Sequence, residues 1–460
     1  MNTMENENNE RVIASLATPI GMGALSIIRV SGADSLSVLT RCTHAGVTER
    51  LQARRVSLTD IVDQTGSPID QVLVTWFKAP ASYTGEEMVE ISCHGGMLVT
   101  QRVLECLFDC GASPAEPGEF TKRAFLAGRM DLTQAEAVMD IISAGSDLAL
   151  KAAREQLDGA IGHRISAWRE SLIHVLAHLE AYIDFPDEEI SPDTAGVLIK
   201  KLNEVMTGIE RLLQTEEQGR LLREGIRTAI VGEPNVGKSS ILNVLLGYER
   251  AIVSDVPGTT RDTVEETIHL GGMALRLIDT AGVRDSADSI EQAGIERTGQ
   301  AIRTADLVIE VVDASLPTQK SNYLGKIKKQ GATTPHILVL NKCDLPQHQD
   351  WQGIDAVRFS CTLGDGRDDL ENALKSAFAS HLPSLSTGDS LASINMRHRD
   401  ALRCCKDSLA MTISSLKASD SPELSALELR EALTNLGEIT GQIDTEDILD
   451  AIFSSFCLGK

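Results

Sequence analysis

No stretch of this sequence stays apolar for the roughly eighteen residues that a membrane-spanning helix needs, so it predicts no membrane span. The opening residues, Met1–Glu10, are acidic and Asn-rich. They lack the positive start and apolar run of a secretory signal. Nine cysteines, at 42, 93, 106, 110, 343, 361, 404, 405 and 457, form no C-x-x-C pair. That spacing predicts neither a disulfide framework nor a structural zinc site, and a reducing, cytoplasmic location fits it. Basic charge is short too: 43 Lys and Arg stand against 66 Asp and Glu, a formal net charge of −23. Such a surface repels phosphate backbones, so contact with RNA is expected to use local basic patches or a basic partner. No internal repeat of solenoid period is found.

What is present exceeds one hydrophobic core. At 460 residues the chain predicts about three domains. Residues 11–120 alternate strand-like runs (Ala24–Val30, Val72–Phe77, Met88–Ser92) with Gly, Pro and Ser breaks, the pattern of an α+β domain. From about 121 to 220 the periodicity is helical, and Leu172, Val175, Leu176, Leu179 and Ile183 form one apolar stripe. Asp184-Phe185-Pro186 ends that helix, because proline cannot continue it. Strands and helices then alternate from about 225, predicting a parallel α/β domain. Beyond roughly 385 the chain is helical again through Cys457. One helical domain interrupted by the α/β block is the simpler reading, and two separate helical domains are the alternative.

The α/β block carries the chemistry. An apolar strand, Ile226–Val231, runs into Gly232-Glu233-Pro234-Asn235-Val236-Gly237-Lys238-Ser239-Ser240 and then a helix. This is the G-x-x-x-x-G-K-[ST] phosphate loop in its proper setting. Its backbone N–H groups and the helix N-terminus cradle phosphates. Lys238 supplies charge to them, and the Ser239 hydroxyl is the expected Mg²⁺ ligand. Pro257-Gly258-Thr259-Thr260-Arg261-Asp262, preceded by Ser254-Asp255-Val256, stands where a first switch belongs, with Thr260 as second Mg²⁺ hydroxyl. The strand Ala274–Ile278 leads to Asp279-Thr280-Ala281-Gly282, whose Asp279 holds the ion through water and whose Gly282 N–H faces the γ-phosphate. Asn341-Lys342-Cys343-Asp344 ends the strand His336–Leu340, where Asp344 suits the paired N–H donors of guanine. Ser360-Cys361-Thr362 follows another strand, where a backbone N–H reads the base oxygen. Four short motifs in order, each at a strand end, predict a GTP site.

Hydrolysis needs a group to orient water, and Val283, the residue after the D-x-x-G glycine, has none to offer. Asp285, Asp288 and Glu291 are the acidic candidates downstream. Asn235 admits two readings: a hydrogen bond within the loop, or an oxygen ligand to a monovalent cation beside the phosphates.

Over nearly its whole length the chain resembles the bacterial tRNA-modifying GTPases of the MnmE (TrmE) family. The likeness rests on Ala14-Ser15-Leu16-Ala17-Thr18-Pro19, Tyr83-Thr84-Gly85-Glu86-Glu87, Cys93-His94-Gly95-Gly96, Pro117-Gly118-Glu119-Phe120, Ile183-Asp184-Phe185-Pro186-Asp187-Glu188-Glu189 and the terminal Phe456-Cys457-Leu458-Gly459-Lys460. It implies a folate-binding and dimerising domain over residues 1–122, a helical domain over 123–222 and 383–460, and an inserted G domain over 223–382. It implies a homodimer joined with the flavoprotein MnmG (GidA) in a heterotetramer. That complex adds an aminomethyl-type group to C5 of the wobble uridine in certain tRNAs. The carbon comes from a tetrahydrofolate, as the 5-formyl or 5,10-methylene form.

The same resemblance makes Asn235, Ser254, Val256 and Thr259 a K⁺ site and Glu291 the water-positioning carboxylate. It places Arg29, Glu90, Arg129 and Lys460 at the folate, with Arg129 standing where relatives carry lysine. Judged on residues alone, Arg29 and Glu90 read more readily as surface positions, and only the resemblance reverses that reading. Cys457 reads as a buried thiol or as a neighbour of the one-carbon chemistry. The cluster Arg397, His398, Arg399, Arg403 and Lys406 reads as a solvated helix face or a tRNA contact. Two rival functions stay open: a regulatory GTPase of ribosome assembly, and a folate-dependent transfer protein that its GTPase regulates.

Overall fold

The computed structural model of the protein describes residues 11–184, 192–248, 266–278, 301–317, 334–378, 390–418, 422–442 and 446–460. They fall into two compact units. One takes in residues up to 139, 162–202 and 404–460, and the other residues 140–161 and 203–403.

The first unit is built on six strands: β1 Ile13–Leu16, β2 Leu25–Ser31, β3 Val56–Val62, β4 Pro68–Phe77, β5 Met88–His94 and β6 Ser113–Pro114. Their order is β3-β4-β5-β2-β1-β6. All neighbours run antiparallel except β1 and β6. Alternation decides which face is covered: Ile28 and Val30 of β2, Val72 and Val74 of β4, and Val89 and Ile91 of β5 are buried. The helix Met97–Asp109 closes over that face, contributing Val103, Cys106 and Leu107 to the core. The sequence analysis found β2, β4 and β5 but did not single out β1, β3 and β6.

Two of the short glutamate motifs are structural. Arg123, its side chain only 4% exposed, pairs with Glu86 at 3.1 Å and with Glu119 at 2.9 Å. It also donates to the Arg11 carbonyl at 3.0 Å, and Arg11 in turn reaches Glu119 at 3.1 Å. Removing one partner of so buried a network strands the remaining charges. Arg123→Met is therefore expected to lower unfolding free energy by about 3 kcal/mol, read from the midpoint of urea denaturation. A change under about 0.5 kcal/mol, the range of ordinary surface substitutions, would show that water solvates the glutamates.

The C-terminal segment packs on the same unit. Phe453 and Phe456, with ring centroids 5.3 Å apart, cluster with Phe125, Leu132 and Leu449. At Gly459, φ +84°, a side chain would collide with the Leu16 carbonyl, so the tail lies flat against the end of β1. This is how Lys460 arrives at the sheet. The predicted stripe is also seen: in the helix Ala160–Asp184, Leu172, Val175 and Leu179 are fully buried, with Leu176 and Ile183 half-buried.

The second unit holds β7 Ile226–Val231, β8 Thr267–Leu270, β9 Met273–Leu277, β10 Leu307–Asp313, β11 His336–Asn341 and β12 Val357–Arg358, in the order β12-β11-β10-β7-β9-β8. All are parallel except the edge strand β8, which returns against β9 through Gly271-Gly272. A two-residue glycine turn dictates such a hairpin. The expected parallel α/β arrangement is seen in the other five strands. Every residue of β10 is buried, as befits a parallel strand covered on both faces. The carboxyl ends of β7, β10 and β11 lie side by side, where parallel sheets bind ligands.

Candidate functional site

β7 ends at Val231, and the helix Lys238–Tyr248 begins seven residues later. Between them the loop folds tightly enough that Asn235 takes φ +65°, a conformation Asn tolerates better than most residues. Gly237 sits at φ +99°, and a side chain there would collide with the amide of Asn341. Lys238 folds back over the loop, its Nζ donating to the Gly232 and Glu233 carbonyls at 2.9 Å each. Burial pushes its ammonium below the ordinary lysine value, with Glu233 opposing weakly. The result is a cation held above a ring of backbone groups, a cradle suited to phosphate.

The second wall comes from β11. Asn341 Nδ2 donates to the Val236 carbonyl at 2.8 Å, locking the two loops together. Lys342, at φ +63°, donates to the Asn235 carbonyl at 3.1 Å and to Asp313 Oδ2 at 2.7 Å. Asp313 closes β10 and was not singled out from sequence, because an aspartate after an apolar strand marks no particular partner. Burial alone would raise its pKa, but hydrogen bonds from Lys342 and Ser315 outweigh that and hold the carboxyl low. Asp344 Oδ1 accepts from Ser360 Oγ at 2.8 Å, and Cys361 Sγ donates to Asn341 Oδ1 at 3.4 Å. Thus Asn235, Val236, Gly237, Lys238, Asn341, Lys342, Asp344, Ser360 and Cys361 converge at one sheet end. Ser239 and Ser240 open the helix, and Thr362 follows on the surface. Ser254, Asp255, Val256, Pro257, Gly258, Thr259, Thr260, Asp279, Thr280, Ala281, Gly282 and Glu291 lie outside the described residues.

A second cluster occupies the first unit. Arg29 on β2 stands opposite Glu90 on β5, and Arg29 Nε donates to Glu90 Oε1 at 2.9 Å. The same guanidinium lies 5.5 Å from the centre of the Tyr83 ring and reaches the Gly459 carbonyl at 3.4 Å. Burial and the Arg29 charge push the Lys460 ammonium down, while Cys457 and Glu90 pull it back. Arg29, Glu90 and Lys460 therefore share one site, with Tyr83 as an aromatic floor that sequence reading did not assign. Arg29 and Glu90 are partners of each other, so a ligand approaching either must share or replace that pair. Arg129 lies against the turn at Gly85, two residues from Tyr83, and lines a cavity of about 420 Å³ with Asp131, Gln134, Thr440 and Gln442.

The chain matches the family description "GTP-binding protein TrmE N-terminus" over residues 12–129 and "MnmE helical domain" over residues 132–457. It is 62% identical to the tRNA modification GTPase MnmE of Akkermansia muciniphila over 451 residues, covering 98% of this chain and 99% of that protein. It belongs to the MnmE family. The namesake of Geobacter metallireducens is 42% identical over 458 residues, 98% and 99% of the two chains. Among solved structures, the FeoB G-domain of Methanococcus jannaschii aligns at 27% identity. That match covers 33% of this chain and 96% of that one, with a TM-score of 0.25.

In this MnmE-family chain part of the basic cluster near residue 400 is already paired. His398 is fully buried, and Arg399 pairs with Glu216 at 2.8 Å and Asp400 at 2.8 Å. Arg403 reaches Glu216 at 3.5 Å. Cys457 is exposed, which sets aside the reading of a buried thiol. No helix among the described residues is long and apolar enough to cross a membrane.

Proposed function

We propose that the chain is a cytoplasmic GTP hydrolase that modifies C5 of the wobble uridine in tRNA. It works as a homodimer joined with the flavoprotein MnmG. The reading rests on one observation above the others: in a member of this family, Asn341 and Lys342 clasp the phosphate loop while Asp344 and Ser360 form a hydrogen-bonded pair beside it. A phosphate cradle and a base reader are thereby one rigid piece. Residues 223–382 would be the G domain, 1–122 the folate and dimer domain, and 123–222 with 383–460 the helical domain.

The donor sets fit the groups proposed for them. Ser239, at the first turn of the helix, offers a hydroxyl to Mg²⁺ with Thr260. Asn235, at φ +65° and exposed in the loop, would supply an amide oxygen for K⁺ alongside Ser254, Val256 and Thr259. When bound, the two cations neutralise charge that builds on the phosphates. The Arg29, Glu90, Lys460 set carries both charge signs over an aromatic ring, which suits a tetrahydrofolate with its glutamate carboxylates and pterin N–H donors.

Glu291 would position the attacking water. Glu291→Ala is expected to leave GTP affinity within about twofold while slowing single-turnover hydrolysis at least about tenfold, the range of a lost general base. A normal rate would move that role to Asp285 or Asp288. The function itself is tested on tRNA from cells lacking the protein, digested and quantified for wobble-uridine nucleosides by mass spectrometry. Loss of the 5-aminomethyl-type nucleoside, restored by the wild-type chain, is the expected result. Unchanged nucleosides would overturn the modification role and turn attention to ribosome assembly.

A further inference from the structure

We propose that Cys42, Cys106 and Cys110 form a trithiolate binding site for a soft d¹⁰ cation, Zn²⁺ or Cu⁺, inside the first unit. Their three Sγ atoms all lie within 4.8 Å of one another. With metal–sulfur bonds near 2.3 Å, three thiolates around one ion stand about 4 Å apart, so small side-chain rotations complete the site.

The fold makes this trio from distant sequence. Cys106 is in the helix Met97–Asp109, and Cys110 caps its end, its N–H bonded to the Cys106 carbonyl at 3.1 Å. Residues four apart share a helix face. Cys42 caps the helix Ser35–Arg41, and its carbonyl accepts the Val62 N–H at 2.9 Å, tying it to the end of β3. Two of the thiols already aim inward. Cys42 Sγ donates to the Cys106 carbonyl at 3.6 Å, and Cys106 Sγ donates to the Val62 carbonyl at 3.2 Å.

Burial and charge also suit an ion. Cys42 and Cys106 are buried, and Cys110 is half-buried at the end of its helix. The Arg41 guanidinium, bonded to the Cys110 carbonyl at 2.9 Å, places positive charge beside the negative site. Among the described residues no His or carboxylate joins the three sulfurs. That favours trigonal Cu⁺, or Zn²⁺ with its fourth position held by water, over an oxygen-loving cation.

The test uses the reduced, metal-free full-length protein, titrated anaerobically with Cd²⁺ and read by thiolate-to-metal charge-transfer absorption. Zn²⁺ and Cu⁺ are then titrated against chromophoric chelators. One equivalent with submicromolar affinity is expected, with three sulfurs near 2.3 Å by X-ray absorption for the zinc or copper form. Cys110→Ser, an isosteric change at the helix end, should fold normally and bind at least about tenfold more weakly. Cys42→Ala should do the same, while Cys404→Ser, in the adjacent pair Cys404-Cys405, should change nothing. Uptake that survives both trio substitutions, uptake lost only with Cys404→Ser, or affinity weaker than micromolar would each overturn the site. The trio would then be ordinary core packing.

Discussion

Asp344→Asn is expected to exchange guanine for xanthine as the preferred base, with GTP affinity falling by as much as roughly 10⁴-fold. Asp344 Oδ1 accepts from Ser360 Oγ, so the carboxylate is oriented before any ligand arrives. A carboxylate so placed accepts the adjacent N–H donors of guanine. An amide in its place turns one acceptor into a donor and meets guanine donor to donor. Leaving such groups unpaired in a site is the costly error, far more so than losing a contact. Xanthine carries a carbonyl where guanine carries its amino group, so the new N–H₂ finds an acceptor. Fluorescent guanosine and xanthosine diphosphates, titrated against both proteins, measure the exchange. Because Asn keeps an oxygen for Ser360, thermal stability should hardly move, and selectivity and folding are read separately. Undiminished preference for GTP in the variant would remove Asp344 from the base-reading role.

The contiguous parts of the nucleotide site were legible because each motif combines a strand end with residues of unusual backbone or chemistry. Gly237 must be glycine where the loop meets Asn341, and the sequence pattern carries that requirement on its face. What stayed hidden is whatever depends on a partner far along the chain. Asp313 is one aspartate among many until β10 and β11 pair in parallel register and set it 2.7 Å from Lys342 Nζ. Tyr83 belongs to a recognised short motif, yet its role under Arg29 follows from the turn between β4 and β5. Glu86 and Glu119 belong to two of the short motifs that carry the family resemblance, with no role that the motifs themselves reveal. In the structure they neutralise Arg123 in the interior.

Cys42 and Cys106 show the limit most clearly. Sixty-four positions separate them, no spacing rule connects them, and the helix laid over the sheet brings their sulfurs together. Their odd total and missing C-x-x-C argued against a metal because such rules read local ligands only. The edge strand β8 was missed for the opposite reason. Its glycine turn is local, but the strand is only 4 residues long and precedes the apolar run that was read as β9.

Lys238→Ala is expected to cost about 10²- to 10⁴-fold in nucleotide affinity, and with it the wobble modification in cells. Two carbonyl oxygens hold Lys238 Nζ at 2.9 Å over the loop, so the side chain waits in place and little entropy is lost when phosphate arrives. Each charge-assisted hydrogen bond it then makes is worth about 1.5 to 3 kcal/mol, and two of them give the stated range. Lys238→Arg separates charge from shape, since a forked guanidinium does not occupy the place of a compact ammonium. It should recover only part of the loss. The pH dependence has a definite sign. Burial depresses the ammonium in the free protein, and anionic phosphate favours its charged form, so binding takes up protons. Affinity should therefore fall as pH rises through the depressed value, and Lys238→Ala should lack that fall. Calorimetry with GDP in buffers of different ionisation heat measures both the affinity and the proton uptake. A variant that binds as tightly as wild type, with the same uptake, would show that backbone N–H groups alone carry the phosphates and that Lys238 serves the loop's own structure.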